Sequence, residues 1–186
     1  MNTFYKLRRF NPQIDLKSIY RVYSDYNEQY KLFSVININS FDSFVDKFEK
    51  KLSSNYKDFL IIEVKEKFAG FLISYDYKSN DGHIKFMAYY EKDFRFGLIG
   101  LAGIEFVDIL FHYYNIHKIY TEVYAYNVES IKYHQKGGFE EECRLKQYRF
   151  FNGQYWDFIY FSISRERFYS YNLPKINRFL RPFKGC

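Results

Sequence analysis

The sequence predicts an α+β domain: a central mixed, mostly antiparallel sheet with helices on its faces, in the order β-α-α-β-β-β-α-β-α-β-β. Three observations carry this. After a first strand-like run come two amphipathic helical segments, and three consecutive strand-like runs follow. The hydrophobic period then switches between helix and strand twice more, and the pattern closes on Asn152-Gly153, a strong two-residue hairpin signal. A chain of 186 residues fits one domain, expected over 1–164, with a basic and aromatic tail over 165–186.

Phe4 to Phe10 alternates like a strand and stops at the breaker pair Asn11-Pro12. Asp15 to Tyr26 carries Leu16, Ile19, Tyr20 and Tyr23 at helical spacing behind an Asp cap. Ser40 to Leu52 repeats the form, with Phe41, Phe44, Val45 and Phe48 on one face. Phe59 to Val64, Phe68 to Tyr75 and His83 to Tyr90 form a meander, its turns at Lys65-Glu66-Lys67 and Ser79-Asn80-Asp81-Gly82. Gly97 to Tyr114 reads as one helix, Lys118 to Tyr124 as a β-branched and aromatic strand, and Asn127 to Lys136 as a helix stopped by Gly137-Gly138. Arg144 to Phe151 and Gln154 to Ser164 flank the hairpin turn.

Composition narrows the class. A hydrophobic fraction of 47% with 27% charged residues excludes wholesale disorder. Phe and Tyr, 22 and 21 of them, fill positions that Leu and Val fill elsewhere, a bias that an AT-rich coding sequence favours. Two cysteines, Cys143 and Cys186, make no disulfide scaffold and no C-x-x-C spacing, which points to a reducing, cytoplasmic setting. His112 and His117 match no ligand spacing, so no metal is expected. The longest apolar stretch, Phe96 to Ile116, holds Glu105, Asp108 and His112, which argues against a membrane span. A net charge of +6 suits an anionic ligand.

The chemistry concentrates at two places. Gly97, Gly100 and Gly103 lie between a strand and a long helix, with Arg95 just before them. A turn of this kind offers backbone N–H groups and a helix N-terminus to an anion; the alternative is that the glycines only let the helix pack closely. The second place is Asn127-Val128-Glu129-Ser130-Ile131-Lys132-Tyr133-His134-Gln135-Lys136-Gly137-Gly138-Phe139. This segment resembles the N-x-x-S/A-I-x-x-Y/H-x-K-x-G-F signature of the GNAT N-acetyltransferase superfamily, and the element order over Phe4 to Ser164 is similar to that superfamily's. Within it the chain looks most like the ribosomal-protein and small-amine branches. In the family's Q/R-x-x-G-x-G/A loop, Arg95 and Gly100 fill the outer slots; Leu98 stands where the middle glycine belongs, and Phe96-Gly97 precede it.

The resemblance implies acetyl-CoA as co-substrate and a primary amine as acceptor. It assigns cofactor contacts to Arg95, Phe96, Gly97, Leu98 and Gly100, to Asn127 and Ser130, and to Met87, Ala88 and Tyr89 on the splayed fourth strand, which runs on to Tyr90. His134 stands in the slot of the general acid, with Tyr133 as the alternative, and Glu122 stands where some members carry a base. Glu91 and His83 are weaker base candidates, and an ordered water is a third route. Bare periodicity reads His134 as a helix-surface residue, Tyr133 as core, Glu122 as a sheet Glu paired with a Lys, and Asn127 as an N-cap. Tyr26, Tyr30, Phe33 and Tyr148, with the loops near Tyr77 and Tyr148, are expected to wall the acceptor pocket. An amino sugar or a nucleotide-linked amino sugar suits such walls, with a protein N-terminus next. The rivals are a catalytically silent acyl-CoA-binding or interaction domain and, last, a nucleic-acid-binding module, for which no recognition motif is present. The tail's Lys175, Arg178, Arg181 and Lys184 alternate with aromatics and read as a solvated or subunit-swapped terminus, and a homodimer is expected as the possible assembly.

Overall fold

In the computed structural model, which describes residues 4–32, 40–95 and 98–180, seven strands form one sheet in the order β1-β2-β3-β4-β5-β7-β6. The strands are β1 (Lys6–Arg9), β2 (Tyr56–Val64), β3 (Lys67–Lys78), β4 (His83–Tyr90), β5 (Lys118–Tyr124), β6 (Glu140–Phe151) and β7 (Gln154–Ser164). The helices are α1 (Pro12–Ser24), α2 (Tyr26–Gln29), α3 (Phe41–Ser54), α4 (Gly100–Tyr113), α5 (Val128–Lys136) and α6 (Arg165–Lys175).

The first helix begins earlier than expected. Asn11 is its N-cap, accepting from the Gln13 N–H at 3.0 Å, and Pro12 opens the first turn, where a missing N–H costs nothing. The pair read as a breaker is therefore a helix start. Asp15, expected as the cap, is instead buried and held by Arg8 at 2.6 Å. Ser40 caps α3 as its position suggests.

Each face of the sheet buries its own core. Ile19, Val22 and Tyr23 of α1 and Phe44 and Phe48 of α3 pack on Ile61, Phe71, Ile73 and Tyr89. On the other face Ala102, Phe106, Leu110 and Phe111 of α4 pack on Ile84, Phe86, Ile119, Val123 and Phe161. The wide aromatic rings do the area-covering work, with Phe44 and Phe48 stacked at 5.0 Å.

The segment expected as a tail is different in kind. Arg165–Lys175 is a helix, capped by Ser164, and Phe168 and Ile176 are 1% exposed in the α4-side core. Its polar side chains also cap other helices. Arg165 reaches the carbonyls of Tyr114 and Ile116 at the end of α4, at 3.1 and 2.8 Å. Arg167 donates to Gly138 O at 2.8 Å, Asn172 to Gly137 O at 2.9 Å and Lys175 to Lys136 O at 3.0 Å, all at the end of α5. These carbonyls have no intrahelical partner, so α6 satisfies them and seals both helix ends. Gly138 sits at φ +87°, and a Cβ there would meet the Tyr171 ring at 2.8 Å, so only glycine allows α6 this close. The reading of a solvated or swapped terminus is thus corrected for residues 165–180; residues 181–186, with Arg181 and Lys184, lie outside the described residues.

Candidate active site

The single parallel pairing in the sheet creates the site. β4 and β5 pair only from His83↔Lys118 to Lys85↔Tyr120, and beyond that point they separate. A cavity of about 150 Å³ fills the gap, lined by Phe86 to Tyr90, by Thr121 and Glu122, by Gly100 and Gly103 of α4, and by Asn127, Ser130, Tyr133 and His134 around α5. Glu28 and Leu32 close it from the α2 side.

Strand parity fixes which groups of β4 face the gap. The Glu91 N–H donates to Ala69 O, and the register Phe71↔Tyr89 and Ile73↔Met87 keeps that phase. The backbone groups of Met87 and Tyr89 therefore belong to the ladder with β3, while those of Ala88 and Tyr90 point into the gap. Arg95 Nε accordingly finds Tyr90 O at 2.8 Å. Of the three residues expected on this strand, only Ala88 presents its N–H to the cavity.

The glycine turn is partly as expected. Gly100 opens α4, whose first turn has no side-chain cap, and Leu98 lies in the turn before it; Phe96 and Gly97 lie outside the described residues. Arg95, expected to add positive charge at the turn, is engaged elsewhere. Its guanidinium pairs with the buried Glu28 and lies 3.6 Å from Glu129. Gly103 answers to close packing, since a Cβ there would lie 2.6 Å from the Tyr90 hydroxyl.

Around α5, Asn127 is the N-cap, accepting from the Ser130 N–H at 3.2 Å, and its amide donates to Lys31 O at 3.4 Å. The Tyr126 hydroxyl donates to Tyr30 O, so the stretch after α2 is tied across the gap. His134 turns inward. Its Nδ1 lies 2.7 Å from the Ser130 carbonyl, which can only accept, so Nδ1 carries the proton. Nε2 then accepts from the Thr121 hydroxyl at 2.6 Å. Burial pulls the imidazole down to about 4, against a smaller upward effect of the Ser130 carbonyl. At neutral pH His134 is uncharged with both nitrogens engaged, and it holds no proton facing the cavity. Tyr133 donates its hydroxyl to Arg95 O, and burial, with Glu129 nearby, raises its pKa.

Glu122 has both carboxylate oxygens occupied, by Lys85 at 2.9 Å and by the Tyr75 hydroxyl at 2.8 Å, and its side chain is buried. The pairing with a lysine is present, and so is the place on the cavity wall. Burial is the largest single effect on Lys85 and lowers its pKa, but the bond and charge of Glu122 together with Asp76 and Tyr160 leave it raised. Glu91 pairs with Arg21 at 2.6 Å, and the His83 ring lies 5.4 Å from Tyr120, both outside the cavity lining. Among the described residues no group of three His, Cys, Asp or Glu converges as a metal set, and no helix is long and apolar enough to cross a membrane.

Of the rings expected to wall an acceptor pocket, those described are not part of the cavity lining and pack on other rings. Tyr30 stacks on Phe151 at 4.7 Å and Tyr148 on Phe158 at 4.9 Å, while Tyr124 and Tyr126 stack at 5.3 Å. Tyr77 is elsewhere, against Tyr114; the side chains of Tyr26 and Phe33 lie outside the described residues. Sequence reasoning missed Glu28 and Thr121. Thr121 had a signal, a polar residue at an inward position between Ile119 and Val123. Glu28, in a four-residue helix, had none.

Residues 9–160 match the profile of the acetyltransferase (GNAT) domain family. The SPbeta prophage-derived uncharacterized N-acetyltransferase YokL of Bacillus subtilis (strain 168) is 43% identical over 51 residues, 27% of this chain and 29% of that protein, so the match spans under a third of that relative. The spermidine N-acetyltransferase of Vibrio cholerae in complex with CoA and spermine superposes with a TM-score of 0.79 at 22% identity, covering 90% of this chain and 99% of that one. A dodecameric form of a Vibrio cholerae spermidine N-acetyltransferase gives 0.74 at 21% identity, covering 90% and 97%. The fold likeness agrees with the α+β layout expected from the sequence. With the family profile spanning most of its length, the chain belongs to the acetyltransferase (GNAT) domain family.

Proposed function

We propose that the protein is an acetyl-CoA-dependent N-acetyltransferase acting on the primary amine of a small molecule, of the amino-sugar or nucleotide-linked amino-sugar kind. The observation that carries this is the gap between β4 and β5, lined by the start of α4 and by α5, with the stacked rings of Tyr124 and Tyr126 following Glu122 along the chain. A thioester entering by α4 and α5 meets an amine entering along these rings, and the two react in the gap.

An alkyl amine has a pKa of roughly 10 and arrives protonated. Glu122, on the wall of the gap, takes that proton directly or through a water, with Lys85 holding the carboxylate in place. The neutral nitrogen attacks the thioester carbonyl, and the Ala88 N–H donates to the oxyanion that forms. The oxyanion collapses, the C–S bond breaks, and the leaving CoA thiolate takes its proton from Tyr133 at the cavity wall, whose hydroxyl turns from Arg95 O to deliver it; neutral His134 has no proton to give there. Asn127 and Ser130 line the same wall and are assigned to the pantetheine arm.

Similar folds are named for spermidine. Here the two inward carboxylates, Glu28 and Glu122, already carry Arg95 and Lys85, which favours a small monoamine over a polycation. We keep a homodimer within the proposal, since β6 is an edge strand exposed from Glu140 to Tyr148. A reducing cytoplasmic setting fits the exposed free Cys143.

The test is calorimetric titration with acetyl-CoA beside dephospho-CoA and ATP, followed by thiol release over amino sugars, polyamines and peptides. Saturable binding and turnover of small amines are expected. Glu122→Gln lowers kcat by about a hundredfold or more and Tyr133→Phe by less, in line with single acid–base groups. Binding without turnover of any amine leaves a silent acyl-CoA binder, and no binding removes the enzyme reading altogether.

A further inference from the structure

Arg149 stands out beside the rings of Tyr124 and Tyr126 because, among the described residues, nothing anionic answers it. It enters β6 opposite Trp156, and its guanidinium carbon lies 4.4 Å from the centroid of the Tyr124 ring. It also bonds the hydroxyl of Tyr126, which lowers that tyrosine's pKa against the larger upward effect of burial. No carboxylate among the described residues lies within ion-pair distance of it, and its Nη1 is shut from solvent without an acceptor. The other arginine of β6, Arg144, has Glu141 at 2.7 Å and Asp157 at 3.2 Å. A guanidinium with an unanswered, desolvated N–H is costly to keep, and an incoming oxyanion recovers that cost with a charge-assisted, forked bond.

Its place sets what it can do. Tyr124 follows Glu122 by two residues on the same face of β5, so the rings under Arg149 begin roughly 7 Å along the strand from the carboxylate at the gap. Tyr126, Phe151 and Tyr30 continue the wall, with Tyr126 and Phe151 at 4.7 Å. A ligand lying along this wall with its amine at Glu122 brings its far end to Arg149.

We propose that Arg149 is an anion subsite of the acceptor groove, so that the preferred acceptor is an amine that also carries a carboxylate or a phosphate at its other end. This deepens the acetyltransferase reading and rests on it for the identity of the amine. Arg149 reads the anion while Glu122 meets the amine. The cation in the groove also works against polyamines, whose second ammonium falls where the guanidinium already stands.

Matched pairs test it: glucosamine against phosphorylated glucosamine, and cadaverine against lysine, which differs by one carboxylate, with spermidine as a further acceptor. In the wild-type protein the anionic member of at least one pair is expected to show a kcat/KM about tenfold or more above its partner, carried by KM. The pair that responds tells phosphate from carboxylate. Arg149→Met brings the ratio toward one, and Arg149→Lys keeps part of it, because an ammonium retains charge without the fork. Calorimetric titration of the CoA-loaded protein with the same compounds reads the subsite without turnover. Anion-dependent binding that Arg149→Met abolishes, with no amine acetylated, upholds the subsite and removes the enzyme reading. Acetylation with equal or better use of the uncharged members, or a ratio untouched by Arg149→Met, overturns the subsite and leaves the enzyme. Neither turnover nor binding overturns both.

Discussion

His134 illustrates how one side chain's surroundings decide between a catalytic and a structural part. It sits on α5 but faces Thr121 on β5, with the Phe161 ring stacked at 5.6 Å and Phe139 edge-on at 5.4 Å. Nε2 ties the helix to the strand through Thr121, Nδ1 is spent on Ser130 O one turn back in α5, and burial keeps the ring neutral. The folded state therefore binds this proton only near pH 4, whereas the unfolded chain binds it near 6.5. Where the unfolded state carries more protons, stability rises with pH. The contribution of the neutral ring is fully present above about pH 6.5 and is lost as pH falls through about 4, a change of about 3 kcal/mol. Denaturant titrations of wild type and His134→Gln from pH 7 to 4 check this. The stability difference between them should shrink by about that amount, and a difference that stays flat removes the buried-neutral account. Arg95 and Glu122 obey the same logic, since each has taken an internal partner of opposite charge.

At the scale of elements, α6 is where packing and polar satisfaction meet. Asn172 is fully buried and supplies the donor for Gly137 O at the end of α5. Asn172→Ala leaves that carbonyl unanswered, at a cost of about 1–3 kcal/mol, and lowers Tm by several degrees in thermal unfolding. Phe168→Ala costs about 3–5 kcal/mol through the cavity it leaves between α4 and α6. A chain ending at Ser164 should fail to reach the native fold in circular dichroism and unfolding scans. Equal stability of the chain ending at Ser164 would mean that α6 is an appendage. The sequence hid this helix for a physical reason. Its hold rests on Arg165, Arg167, Asn172 and Lys175 reaching carbonyls 29 to 54 residues away in the chain. Hydrophobic periodicity is blind to such bonds. The sheet was legible because alternation and turns are local: β4, β5 and β7 have the bounds that the pattern predicts. The site was legible in part. The Asn127–Phe139 segment located α5 and the cavity wall, but which way His134, Arg95 and Met87 point depends on partners from other elements.

Across the whole molecule, one sheet carries two cores on opposite faces, and the gap between β4 and β5 is where the two faces communicate. That geometry constrains the order of chemistry. A transfer through a covalent acetyl-enzyme needs an activated nucleophile on the cavity wall; among the described residues the lining holds no cysteine, the Thr121 and Tyr133 hydroxyls donate to His134 and to Arg95 O, and Ser130 Oγ faces the protonated Nδ1 of His134, which cannot take its proton. The free Cys143 is on the exposed edge strand β6. Lys85 is tied to Glu122 and Lys31 to Glu28, each with its charge engaged. Under the proposed reaction both substrates must therefore be bound at once, entering from opposite faces, and the acetyl group passes directly between them. Initial rates measured over a grid of acetyl-CoA and amine concentrations should give intersecting double-reciprocal lines, and acetyl-CoA alone should leave no acetyl group on the protein by mass spectrometry. Parallel lines together with a stable mass increase would place a covalent carrier on the path and make the open gap an incidental feature of the sheet. Intersecting lines would instead tie the kinetic order to the three short rungs at which β4 and β5 still pair, because their early separation is what lets two ligands meet inside one sheet.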